Sequence, residues 1–187
     1  VASEFVEPVV VLLRQLGEVV SAMSDGQYVQ SPVGVIQSSV GGHVRHCLDH
    51  VRALVLAAGG GEGATLSYDH RHRGTPVESS RGVALEAIEE LSRSLGELTE
   101  EAVQRRLLVS VLMTANGPAV EARSSVGREL AFVLSHTIHH NALVGAMAAV
   151  LGVPMPARFG YAPDTVRHFE ALGVNGVARS TACARQA

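Results

Sequence analysis

Apolar residues recur at helical spacing in four stretches of this chain. From Glu4 to Met23, residues Phe5, Val9, Leu12, Leu13, Leu16 and Val20 form one stripe at steps of three and four, and Asp25-Gly26 ends it. A second stretch runs from Val35 to Ala58, with Val40, Val44, Cys47, Val51, Leu54 and Val55 in phase and Gly59-Gly60-Gly61 as its stop. The third covers Arg81 to Gly96 on Ala84, Leu85, Ile88, Leu91 and Leu95. The fourth runs from Ser125 to Leu151, closed by Gly152 with Pro154 just beyond. Between the third and fourth, Leu107 to Met113 is rich in β-formers, Asn116-Gly117 is a hairpin-turn dipeptide, and Val120 to Arg123 alternates. That pattern predicts a short β-hairpin. Beyond Gly152 an irregular segment, Pro154 through Pro163, precedes one or two helical turns at Asp164 to Leu172. The tail from Asn175 to Ala187 is small and polar without an apolar period, which predicts flexibility.

Composition narrows the class. The chain has 187 residues, 47% of them hydrophobic, enough for one sizeable core. A net charge of -3 and a pI near 6.3 argue against a nucleic-acid partner. The two cysteines, Cys47 and Cys183, lie far apart with no CxxC pairing, which suits a reducing cytoplasm and no disulfide framework. Phe5 to Met23 is greasy, but Glu7, Arg14 and Glu18 interrupt it at helical spacing, unlike a signal peptide or a membrane span.

The chemistry concentrates in histidine. Six of the nine histidines fall on two of the predicted helices: His43, His46 and His50 on the second, and His136, His139 and His140 on the fourth. Residues three, four and seven apart share a helical face. His136 and His140 therefore point about 40° apart, with Glu129 roughly midway between them. They share that sector with Phe132, Val133, Leu143 and Met147, so the imidazoles face an interior. Burying several imidazoles without partners costs on the order of 1–3 kcal/mol for each unmet group, and a metal ion satisfies several at once. A catalytic ion takes three protein ligands and keeps one position open. His136 and His140 form the natural i, i+4 pair, with a third from helix two. Imidazole suits Zn, Ni, Fe or Cu.

The other side of helix four holds Ala131, Leu134, Ile138, Ala142, Gly145 and Ala149, so that helix is apolar all round and calls for a second covering surface. A homodimer packed through these small residues is one explanation. On helix two, Arg45, Asp49 and Arg52 fall opposite the core stripe, which predicts a helix-surface or capping role for Asp49.

His46-Cys47-Leu48-Asp49-His50 and His136 to His140 together resemble the motifs of the DinB superfamily. The likeness extends to Gly41 through His50, to Tyr68 to Glu78, to Arg128 to Asn141, and to Phe159-Gly160-Tyr161-Ala162-Pro163, so it spans most of the chain. It implies a four-helix bundle in which His46, His136 and His140 bind a divalent metal, with His43 and His50 as alternates. Some members of that fold resemble thiol S-transferases or isomerases using mycothiol or bacillithiol, in which the metal activates a thiolate.

Around this core the sequence offers further groups. Arg71 and Arg73, with His70 and His72, make a cationic loop suited to an anionic substrate or thiol. Glu129 is placed to orient a ligand histidine, to act as a general base, or to pair with an arginine of that loop; His139 is a candidate acid–base group. Cys47 reads as core packing.

The combined expectation is an all-α, up-and-down four-helix bundle with a small β-hairpin between helices three and four. Residues 1–174 would form one domain. Its function would be that of a cytoplasmic, dimeric enzyme that uses a divalent metal, Zn first and Ni or Fe next, on an electrophilic small molecule. Low-molecular-weight thiol transfer is the leading reaction. The alternatives are metal-assisted hydrolysis and a non-catalytic, stress-associated metal-binding protein.

Overall fold

The computed structural model describes residues 2–32, 34, 37–69 and 74–173. Four long helices carry the fold: α1 (Ala2–Ser21), α3 (Val40–Gly59), α5 (Arg81–Gly96) and α7 (Val126–Val150). Short helices α2 (Asp25–Tyr28), α4 (Pro76–Ser79) and α6 (Glu100–Gln104) link them, and α8 (Pro163–Ala171) follows α7. Helices α1 and α3 each pack against both α5 and α7, so the four enclose a common core. Val9, Leu13 and Leu16 of α1, Val44, Leu48 and Leu54 of α3, Ala84 and Leu95 of α5, and Leu130, Val133 and Met147 of α7 are among its most deeply buried members.

Side-chain caps set the helix starts. Ser39 accepts from the Gly42 N–H to open α3, and Ser125 accepts from the Arg128 N–H to open α7. The expected start of helix two at Val35 falls outside the described residues. Asp25-Gly26 does not simply end the first helix: Ser24 and Gln27 form a reciprocal capping box that starts the separate turn α2. The buried stripe of α1 is also rotated from the expected one. Val6, Val10 and Val19 join Val9, Leu13, Leu16 and Val20, while Phe5 sits 38% exposed.

The β element is larger than a hairpin. Strands β2 (Arg106–Leu112) and β3 (Ala119–Ser125) are antiparallel, and β1 (Ala64–Ser67) adds to β2 in parallel, giving a mixed sheet in the order β1-β2-β3. Four residues are too few for a periodicity signal, and the pairing of Ala64 with Leu107 through Ser67 with Ser110 is long-range. Asn116-Gly117 lies within the longer connection 113–118 rather than forming a two-residue turn. Strand β3 runs directly into α7: Ser125 ends the strand and caps the helix.

Two expectations about faces need correcting. Asp49 and Arg45 are not at the surface of α3; both are buried, because α4 packs over that side. Arg45 donates to Asp49 at 2.7 Å and to Glu78 at 2.6 Å, a buried pairing that extends to Arg52 at 3.8 Å. The outer side of α7 is covered in part by the chain itself. Phe159 packs over Gly145, and Gly160 approaches the Ala142 backbone so closely that a β-carbon there would stand 2.5 Å from it. Leu134 and Ile138 line an apolar cavity of about 560 Å³ against Pro8, Val11 and Leu12 of α1. The tail expected to be flexible lies outside the described residues.

Candidate metal centre

Helices α3 and α7 pack face to face and bring five histidines together. One ligand nitrogen from each of His46, His50 and His136 lies within 4.8 Å of the other two. The His50 ring stacks on His136 with centres 3.8 Å apart, and His46 meets both edge-on, at 4.6 Å from His50 and 5.1 Å from His136. His140 adjoins the group, its ring centre 4.5 Å from His136 and 4.8 Å from His46. Its Nδ1, however, faces the Nδ1 of His43 at 3.3 Å, a contact in which one ring donates and the other accepts. His43 Nε2 is buried and meets no hydrogen-bond partner among the described residues. His139 is exposed, its ring centre 5.2 Å from His140 at the edge of the cluster.

The protonation states suit ligation. Burial, then the neighbouring His136, His46, His43 and His139 rings, push His140 down to about 2. Burial and His139 lower His43 as well. Such imidazoles are neutral at physiological pH, the form a metal requires. The Nδ1 of His50 lies 3.1 Å from the His46 carbonyl oxygen. A carbonyl only accepts, so this nitrogen carries the proton and Nε2 carries the lone pair. Three imidazoles converging from two helices fit a divalent ion of the Zn, Ni or Fe type.

A second set of side chains backs the histidines. Tyr68, just after β1, stacks on His50 at 4.9 Å with the planes within 7° of parallel. Its hydroxyl donates to Glu129 at 3.0 Å. Glu129, in the first turn of α7, is fully buried and accepts also from Ser124 at 2.5 Å and Arg128 at 2.7 Å. Burial and the Glu129 carboxylate hold the Tyr68 phenol well above its ordinary range. Phe132 fills the angle between Tyr68 and His136, with the Arg128 guanidinium over its ring.

Of the residues singled out from sequence, His46, His136, His140, His43 and His50 gather as one cluster. Glu129 lies behind it and reaches it through Tyr68, and its cation among the described residues is Arg128. Arg71 and Arg73 lie outside the described residues, as do His70 and His72. The chain on either side of them is tied down: Asp69 accepts from the Leu112 N–H at 2.7 Å, and the Gly74 N–H donates to Glu78 at 3.0 Å. Cys47 is buried in the core, its thiol 3.7 Å from the Thr137 hydroxyl and pushed up to about 12 by burial. Sequence reasoning passed over the roles of Tyr68 and Ser124. The adjacency of β3 and α7 was the available signal for Ser124, since a residue just before the helix cap falls beside the first turn.

Residues 12–144 match the family model of the DinB superfamily, and the chain belongs to that family. The match contains all five clustered histidines. A crystal structure of a DinB-like protein from Bacillus subtilis superposes on 85% of this chain and 99% of its own length, with a TM-score of 0.59 at 18% identity, a likeness of fold. FK506-binding protein 5 of Rhizopus delemar is 34% identical over 106 residues, which are 56% of this chain and 28% of that protein. The chain thus spans little more than a quarter of the length of that relative. No helix among the described residues is long and apolar enough to cross a membrane.

Proposed function

We propose that this chain is a divalent-metal-dependent enzyme acting on an electrophilic small molecule, with transfer of a low-molecular-weight thiol as its reaction. The observation that carries this reading is the convergence of His46, His50 and His136 within 4.8 Å. We assign the ion to His46 and His136 with His50 as the third ligand, in place of the His140 that the family resemblance implied. Zinc is the ion we favour, ahead of nickel and iron. The reading also takes the four long helices as an up-and-down bundle, the assembly as a homodimer and the setting as the cytoplasm.

When bound, such an ion keeps one position open and lowers the pKa of a thiol or water placed there. The chain supplies the rest. The His46 carbonyl fixes the His50 tautomer, and burial keeps His140 neutral beside the cluster, a hydrogen-bonding group and a poor proton acceptor. His139, exposed at the edge of the cluster, is placed to exchange protons with solvent. Glu129 has its oxygens engaged by three donors, which favours an orienting role over that of general base. Arg71 and Arg73 are the groups we assign to an anionic part of the substrate or thiol. Metal-assisted hydrolysis is the second reaction supported by the same open position.

The test is the metal content of the purified protein beside the His136→Ala variant, followed by thiol consumption with electrophilic substrates. We expect about one divalent ion per chain, lost in the variant with helix content kept. A wild-type protein that stays empty after incubation with Zn, Ni and Fe would overturn the metal reading. A cobalt-loaded protein whose spectrum ignores added thiol and azide would instead favour a closed, non-catalytic metal site.

A further inference from the structure

Strand β3 is an open edge of the sheet. It pairs with β2 on one side, and among the described residues no strand lies on the other. Ala119 to Arg123 are exposed, and the strand holds no proline and keeps an unbroken register with β2. Proline and bulges are the usual means of blunting such an edge, which otherwise offers its backbone to another chain.

Successive residues of a strand turn their N–H and C=O groups to opposite sides. The Val126 N–H donates to the Arg105 carbonyl just past the end of the ladder, so the even-numbered residues of β3 face β2. Ala119, Glu121 and Arg123 therefore present their backbone groups to the open side. The side chains of Glu121 and Arg123, two apart, also share one face. Neither makes an ion pair or hydrogen bond with another side chain among the described residues.

A second copy laid antiparallel along this edge must match odd-numbered residues with odd-numbered ones, since these carry the outward groups. In the register centred on Ala122, Glu121 lies opposite the partner's Arg123, and Arg123 opposite the partner's Glu121. This register also overlaps the whole strand, Ala119 against the partner's Ser125. The neighbouring registers, centred on Glu121 or on Arg123, set like charges opposite each other and shorten the overlap. Opposite charges stabilise a directly opposed pair and like charges destabilise it.

We propose that β3 is the dimer edge of this protein, two copies joining their sheets about a two-fold axis between the paired Ala122 residues. A two-fold contact must be self-complementary, and Glu121 with Arg123 meets that condition within one strand. The proposal deepens the homodimer reading above and rests on it. It moves the contact away from the outer side of α7, which Phe159 and Gly160 already cover in part. The exposed Leu112, Met113 and Val120 lie at the hairpin end, beside the point where the partner's β3 enters α7. They add apolar area to the backbone ladder.

The test is the dimer dissociation constant of the full chain, by sedimentation equilibrium, in wild type and charge-reversal variants. Glu121→Arg and Arg123→Glu change exposed side chains, and each sets like charges opposite in its own dimer. Each is expected to weaken dimerisation about tenfold or more. The two variants mixed together should form a heterodimer of near wild-type affinity, because each then meets opposite charges. The double variant should recover it too. Ala122→Cys in a Cys183→Ser background should cross-link under mild oxidation, since directly opposed residues of a non-hydrogen-bonded pair stand about 4.5 Å apart at Cα. Val120→Cys in the same background should not. A wild-type dimer that both reversals leave intact and that Ala122→Cys does not cross-link would overturn this edge and leave the homodimer reading standing. A wild-type chain that stays monomeric at the highest concentration reached removes both.

Discussion

Gly41 of α3 lies against the backbone of Glu78 in α4: a β-carbon at Gly41 would collide with the Glu78 carbonyl oxygen and stand 2.8 Å from the Tyr28 ring. Space, not backbone conformation, requires glycine there. The contact lets α4 lie close on α3, where the Tyr28 hydroxyl donates to the Val77 carbonyl at 2.7 Å and Glu78 reaches Arg45. Gly41→Ala must push two backbones apart beneath the histidine face. We expect it to lower unfolding free energy by about 3 kcal/mol in urea titration, at the upper end of the usual cost of overpacking. Gly59→Ala at the end of the same helix meets nothing within 4 Å and serves as control, with a gain of about 0.5 kcal/mol. Equal effects at the two sites would refute the close-contact account.

The Arg45–Asp49 pair makes a contrast with its neighbour Arg52. Asp49→Ala leaves a buried guanidinium with Glu78 as its remaining carboxylate, and breaking a buried pair from one side costs roughly 3–5 kcal/mol. Arg52 is about a third exposed and 3.8 Å from Asp49, so Arg52→Ala should cost less than about 1 kcal/mol. Chemical denaturation of the two variants decides it, and comparable losses would mean the burial of Asp49 contributes nothing particular.

These two sites also mark where the sequence stops being legible. Helix α5 matches its expected bounds, and α7 nearly so, because an uninterrupted apolar period and a serine cap specify a helix locally. The histidine faces were legible for the same reason, since i, i+4 geometry depends on one helix at a time. Long-range pairing was not. Strand β1 acquires its identity from β2, forty residues later, and Asp49 acquires its burial from α4, a four-residue turn with no period of its own. Tyr68 is legible as a motif residue, but its partners come from α3 and α7.

Acid sensitivity follows from the imidazoles and has a definite sign. His140 stands at about 2 in the folded chain against an ordinary value of 6.5, through burial first and neighbouring rings second, and His43 is shifted in the same direction. Between those limits the unfolded chain binds a proton at this position that the folded chain refuses. Stability therefore rises with pH across that window. The contribution of His140 is present in full above about pH 6.5 and is lost progressively as the pH falls toward 2. Metal-free protein should show urea midpoints that are level from pH 8 to 7 and decline steadily from 6.5 to 5. Over that range most carboxylates in both states stay ionised and contribute little slope. Replacing His140 by Phe removes the titrating group and should flatten the decline relative to wild type. Zinc should oppose the decline until protons displace it from its ligands, giving loaded protein a lower and sharper acid midpoint. A metal-free wild type whose midpoint does not change between pH 7 and 5 would show that the cluster opens to solvent and takes up its protons without leaving the folded state.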